Sequence, residues 1–462
     1  MERSPGPRWH VELPPVGAVA SWAMSEKRHR TQQRRARRRA NRAGRPSPSP
    51  RRSGSRGVRR LDAELAELLS ELAGIAAECA DDPSDALEAE QWASGLLGTF
   101  ARGPLADADA GRLLGQGLVD ALERLGNAGA LAALRAIGAL EAHAASVPAR
   151  AAADRLAGAG TAEPAWAGDL GFARPLAAEL ICDPTFDDGV SVLIEFSGPG
   201  ASSHTVGVYI DHNMGGLVKD AFVAGPLSEV RATLAASAGE EAGLAMHELD
   251  LGEARARVEQ ALELLDRTLG PPVDDDVHSL RALVEARVRL LPAGAALPVE
   301  FVDVTPKERE DLLEAFVASR EGERWLDDDD ALDVAAAAID FGADYNHGGP
   351  LRWSPVVVEV FMTSWLARKV GREREFFERV PAVLADWVAF AARRRGISPA
   401  AAREAVAAVE LCRDEMLETV DDPRAWGPAK AFGMAALRAG VDLSDPSAVE
   451  AFVERYNDGL AA

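Results

Sequence analysis

The sequence predicts an α+β protein, mostly α. A helical N-terminal region comes first, then a small antiparallel β-meander with helices, then an all-helical C-terminal region. Three observations predict it. Apolar residues recur at helical spacing from Leu61 to about residue 144, and again after Thr305. Between Glu179 and Ala224 the period changes to two. The alternation of strand and helix that builds a parallel sheet is missing.

At 462 residues, 47% of them hydrophobic, the chain has material for two to four domains. The expected order is an Arg-rich disordered arm over 1–60, an all-α region over 61–164 and an α+β domain over 165–292. That domain would hold a four- to five-stranded antiparallel sheet. A linker over 293–304 and an all-α domain over 305–462 complete the chain.

Charge separates the arm from the rest. Residues 27–60 hold 15 Lys and Arg and no acid. Residues 1–60 net +14, so a total of −22 leaves the remaining 402 residues at −36. Within the arm, "RPSPSPRRSGSRG" (45–57) has almost nothing to bury. Arg34, Arg35, Arg37, Arg38, Arg39 and Arg42 are the candidate contacts to a nucleic-acid backbone. The arm has no interleaved aromatics, so base stacking is not indicated. Acidic protein surfaces compete with nucleic acid as its partner. Met24, which opens the basic stretch, is a candidate true start. Only five of the 51 basic residues are Lys, the mark of a GC-rich, bacterial genome.

In the first helical region Leu61, Leu65, Leu68, Leu69, Leu72 and Ile75 form one amphipathic pattern, broken at Asp81–Pro83. A second pattern runs to about Phe100. Two more fill 111–144, split near Gly126–Gly129. Then "ELICDPTF", "GVSVLIEF", "HTVGVYID" and "LVKDAFVA" read as four strands joined by turn-forming residues, which makes a meander the simplest topology. "LAMHELDL" (244–251) is a candidate fifth strand, with helices expected at 226–238, 252–268 and 275–290. In the C-terminal region Thr305, Pro306 and Glu308 spell a capping box. Trp325, Trp353, Trp365, Trp387 and Trp426 are expected to anchor its core.

Cys79, Cys182 and Cys412 are far apart, which fits a reducing, cytoplasmic setting rather than a disulfide framework. Cys79 and Cys182 are expected in the core. No signal peptide is read, and no stretch reaches the ~20 apolar residues of a membrane span.

The candidate chemistry gathers at "YIDHNMGG" (209–216). Its Asp-x-Asn-x-Gly-Gly pattern recurs as "DYNHGG" (344–349), beside "RWSP" (352–355). Asp211-His212-Asn213 resembles the Asp-His-Asn and Asp-His-His motifs of manganese-dependent phosphoesterases and pyrophosphatases. The resemblance covers three residues. The earlier His- and Asp-rich motifs of those enzymes are missing, so the family is not adopted.

Topology gives a better argument. In a meander the first and third turns share one end of the sheet, which brings Asp187 and Asp188 to Asp211, His212 and Asn213. Strands ~4.8 Å apart put the two tips within roughly 10 Å. Lys219 and Asp220 follow in the returning strand. Such a set could bind a divalent metal or do acid–base work. The plainer reading is turn formation, since Asp, Asn and Gly tolerate positive φ and bond their own backbone.

No Gly-rich phosphate loop, Gly-x-Ser-x-Gly or dinucleotide fingerprint is present. The preferred reading is therefore a non-enzymatic binding or adaptor protein with no cofactor, partnered by a protein or a nucleic-acid backbone and not by a membrane. The alternative is a metal-dependent hydrolase with its site at one end of the meander.

Overall fold

The computed structural model describes residues 56–80, 82–101, 108–199, 202–237, 244–268, 273–295 and 303–441, with isolated positions at 271, 297, 448, 451–453 and 455. Met24 and the arm arginines Arg34, Arg35, Arg37, Arg38, Arg39 and Arg42 lie outside the described residues. The fold is α+β and mostly α, with one five-stranded antiparallel sheet. The chain divides into two compact units. The first runs to Cys182 and adds Val190–Ile210 and Leu217–Leu297. The second takes Asp183–Gly189, Asp211–Gly216 and everything from Pro298.

The first unit opens with α1 (Arg56–Cys79), α2 (Ala86–Gly98), α3 (Ala108–Leu125), α4 (Ala128–Ala139) and α5 (Ser146–Gly158). α1 begins five residues before Leu61, where the apolar pattern starts. Arg is a good helix former, so residues that mark an arm by their charge also extend a helix. Asp85 caps α2, its carboxylate accepting from Glu88 N at 2.9 Å. Asn127 caps α4 in the same way, accepting from Ala130 N at 2.8 Å.

These helices share a core rich in Ala and Leu. Small residues let them approach closely: a Cβ on Gly129 would stand 1.9 Å from the carbonyl oxygen of Ala77. Cys79, Cys182 and Cys412 are half-buried rather than core residues. Cys79 and Cys182 are the last residues of α1 and β1, where burial is incomplete.

The sheet holds β1 (Arg174–Cys182), β2 (Gly189–Ser197), β3 (Ser203–Asp211), β4 (Leu217–Ala224) and β5 (Ala245–Leu249) in the order β4-β3-β2-β1-β5. The meander is as expected, and the fifth strand pairs antiparallel with β1, Ala178 opposite Leu249. The period-two pattern is half the story in β2. Val192, Ile194 and Phe196 are buried, and so is Leu193, which the pleat turns to the opposite face. There it joins Ile181 and Leu227, Val230 and Leu234 of α6 (Leu227–Ser237).

α7 (Leu251–Arg267) and α8 (Asp275–Val288) also pack on the sheet. Ala282, Leu283 and Ala286 of α8 enter the Ala/Leu core as well. Arg287, buried at the end of α8, pairs with buried Glu90 of α2 and donates from Nε to His204 Nε2 of β3 at 3.2 Å. His204 therefore faces inward, as its parity with Val206 and Val208 implies. Burial and the Arg287 charge push its pKa down to about 4.

The second unit holds α9 (Pro306–Val317), α10 (Asp329–Asp344) and a continuous run of α11 (Pro355–Val360), a π-helical turn (Phe361–Trp365) and α12 (Leu366–Lys369). α13 (Arg374–Arg395), α14 (Pro399–Asp421) and α15 (Pro428–Arg438) follow. The Thr305–Glu308 capping box forms. Asp328 caps α10, so the acidic run Asp327–Asp330 starts a helix. Gly396, φ +71°, ends α13. The core centres on Phe316, Trp353, Phe361, Trp387 and Phe390. Among the described residues no helix is long and apolar enough to cross a membrane.

Candidate functional site

Three of the chain reversals in the second unit build the site, and two carry the same six-residue pattern. At the first, Asp211 ends β3 and its carboxylate accepts from Asn213 N at 2.8 Å. This caps a single 3-10 turn, His212–Met214. Gly215 and Gly216 follow at φ +80° and +91°. At the second, α10 ends at Asp344, and Gly348 and Gly349 both adopt φ +82°. Both glycine pairs occupy the left-handed region that side chains disfavour. The repeat is turn chemistry in both copies.

The third reversal joins β1 to β2. Asp183 accepts from Thr185 N at 2.8 Å and starts the turn. Asp187, at φ +56°, is the one non-glycine residue with positive φ among the described residues. Asp tolerates that region better than most residues, at a cost of about 1 kcal/mol. His212 N donates to Asp188 O at 2.9 Å, so the first and third turns of the meander do meet.

Arg352 ties the reversals together. It is buried, and every nitrogen of its guanidinium is used. Nη1 donates to Phe186 O at 3.2 Å, Asp187 O at 3.1 Å and the Asp188 carboxylate at 3.0 Å. Nη2 donates to Asn213 Oδ1 at 2.6 Å and to Asn346 Oδ1, and Nε donates to His347 O. A planar five-donor fork suits such convergence. Asp188 also accepts from Ser354 Oγ at 2.6 Å and from Asn213 Nδ2 at 3.0 Å. The same Ser354 oxygen caps α11 at Val357 N. Burial pushes the Asp188 carboxyl above its ordinary range, and these donors hold back part of that shift.

This cradle brings Asp187, His212 and His347 together. One carboxylate oxygen and one nitrogen from each ring lie within 4.8 Å of one another. His212 Nδ1 is 3.1 Å from Asp187 Oδ1, and the two imidazole rings sit 4.4 Å apart, tilted by 37°. Burial works to raise the Asp187 carboxyl. The His212 hydrogen bond and the charges of His212, His347 and Arg352 outweigh it and bring the pKa below the ordinary value.

The expected residues therefore separate. Asp187 and His212 face each other. Asp188 and Asp211 support the turns. Lys219 and Asp220 lie on β4 in the first unit. There burial, with Asp274 and Asp276, pushes Asp220 up to about 6. His347 was not among the expected site residues, although the sequence carried a signal for it. The second Asp-x-Asn-x-Gly-Gly copy holds it, and Arg352 lies five residues on.

Comparison of the chain with protein-family models, with curated proteins and with solved structures finds no match.

Proposed function

We propose that the protein is a metal-dependent hydrolase whose divalent ion is held by Asp187, His212 and His347. The observation that carries this reading is the convergence of one carboxylate and two imidazoles within 4.8 Å. Such a donor set suits zinc and neighbouring first-row divalent ions. An ion held by these three residues would supply the activation of a water molecule as a nucleophile near neutral pH. Arg352 supports the reading through its bonds to the carbonyls of Asp187 and His347 and to the side chain of Asn213, the neighbour of His212. Outer partners of this kind orient first ligands.

The test is titration of the metal-free full chain with Co2+, followed by visible absorption, and with Zn2+, followed by calorimetry. One ion per chain is expected, with binding lost in His347→Gln and in Asp187→Asn. The Asn variant keeps a residue that tolerates positive φ. The zinc-loaded chain is then assayed on p-nitrophenyl phosphate and p-nitrophenyl acetate, and turnover is expected to vanish in His347→Gln. No saturable binding of either ion would overturn the metal reading. Binding without turnover of either ester would count against hydrolysis.

A second reading is a binding or adaptor protein. The solvent-facing Leu65, Leu68 and Ile75 of α1 favour it.

A further inference from the structure

The apolar residues of α1 fall into two rows. Leu69, Ala73, Ala76, Ala77 and Ala80, just past its end, are buried in the Ala/Leu core. Leu65, Leu68 and Ile75 are 45%, 61% and 60% exposed. With half-buried Leu72 between them, these positions step by three, four and three residues. That is the a/d spacing of a coiled-coil seam. The sequence continues the step backward through Leu61 and Val58 and forward to Cys79, so it spans the helix. Helix amphipathicity explains the buried row and leaves the exposed one without a role.

The flanks of this seam differ. One flank, Leu69 and Ala76, is already in the core. The other, at positions 64, 71 and 78, is Glu in every heptad, and Glu71 and Glu78 are exposed. An incoming helix would meet apolar residues along the seam and a row of carboxylates on its open side.

We infer that α1 is a docking helix for a basic amphipathic helix of a partner protein, with Leu or Ile in its seam and Lys or Arg beside it. Charge complementarity selects this occupant. A second copy fits worse. Antiparallel pairing sets the two Glu rows against each other, and parallel pairing sets each row against a flank the other copy has buried. Residues 27–42 of this chain match the charge, but their only apolar residues are Ala36 and Ala40, too small to fill the seam.

The test uses the full chain and two synthetic 28-residue helical peptides, both with Leu at a and d. One carries Lys at e and g and the other Glu. Fluorescence anisotropy is expected to show saturable binding of the Lys peptide and much weaker binding of the Glu peptide. Leu68→Gln combined with Ile75→Gln should weaken the Lys peptide by about tenfold or more, since each side chain buries apolar surface only in the complex. Both positions are exposed, so the thermal melt should be unchanged. Glu71→Lys combined with Glu78→Lys should reverse the preference between peptides.

Equal binding of the Lys peptide by the Gln variant would mean general attraction to an acidic chain and would overturn the proposal. Equal binding of both peptides by the wild-type chain would overturn it as well. So would a wild-type dimer in sedimentation that the Gln variant splits, since the seam would then belong to a second copy. None of these outcomes touches the metal reading, which is tested in the other unit.

Discussion

Asn213 and Asn346 occupy the same position in two copies of Asp-x-Asn-x-Gly-Gly, and both accept a hydrogen bond from Nη2 of Arg352. One cation thus satisfies the third residue of each repeat. It also holds the carbonyls of Asp187 and His347, two of the three proposed ligands. The repeat is a pair of turns in sequence and a single polar assembly in space.

Arg352→Lys should therefore be severe although it keeps the charge. An ammonium offers three donors from one point and cannot serve acceptors spread around a fork. The buried Asn346 Oδ1 loses its donor and the Asp188 carboxylate its guanidinium partner, which puts the loss at about 3–5 kcal/mol. Denaturant unfolding followed by tryptophan fluorescence checks this, since Trp325, Trp353, Trp365, Trp387 and Trp426 all report on the second unit. A shift below about 1 kcal/mol would show that the fork is dispensable.

The glycine pairs give a graded test. Gly215, Gly216 and Gly349 lie at φ +80°, +91° and +82°, so alanine at each should cost about 1 kcal/mol from backbone strain alone. Gly348 adds a packing conflict, because a Cβ there would stand 3.0 Å from Arg352 Cδ. Gly348→Ala should therefore exceed Gly216→Ala, around whose Cβ position nothing lies within 4 Å. Paired thermal melts of these two variants decide it.

These residues also show what a sequence can and cannot reveal. The glycine pairs, the capping box at Thr305 and the meander are legible because they rest on local chemistry and on period. The meeting of Asp188 with His212 follows from meander topology alone. His347 and Arg352 are different. They come from a loop 135 and more residues after His212, and no local rule joins that loop to Asp187 and His212. The repeated motif was visible, but a repeat does not say that its copies touch. The buried pairing of Glu90 with Arg287 was hidden for the same reason, as its partners are 197 residues apart.

That pairing supports a prediction for the first unit. Arg287→Met removes the cation from a buried carboxylate and from His204 Nε2 together. Breaking a buried pair from one side typically costs about 3–5 kcal/mol. The double variant Arg287→Met with Glu90→Gln should recover part of the loss, because the Gln carbonyl oxygen still accepts from Gly171 N, now at 2.7 Å to Glu90. A double variant no more stable than Arg287→Met alone would mean that shape, not charge, is what the pair supplies. Chemical denaturation of the single and double variants separates these outcomes.

His204 and Asp220 should give the first unit two opposing pH dependences. The folded pKa of His204, about 4, lies below its ordinary 6.5. The unfolded chain therefore binds the extra proton, and stability falls as pH drops from 6.5 toward 4. The folded pKa of Asp220, about 6, lies above its ordinary 3.8. Here the folded chain keeps the proton longer, and stability falls as pH rises from about 4 to about 6. Over that shared window the two slopes have opposite sign and offset each other. Asp220→Asn keeps an acceptor for Ala221 N while removing the charge, so it should raise stability by about 1–2 kcal/mol at pH 7 and leave it unchanged below pH 4. The same variant should unmask the histidine slope, and stability would then rise steadily from pH 4 to 6.5. Urea midpoints measured at half-unit pH steps test the pair, and a variant curve parallel to the wild type across this window would refute the offset.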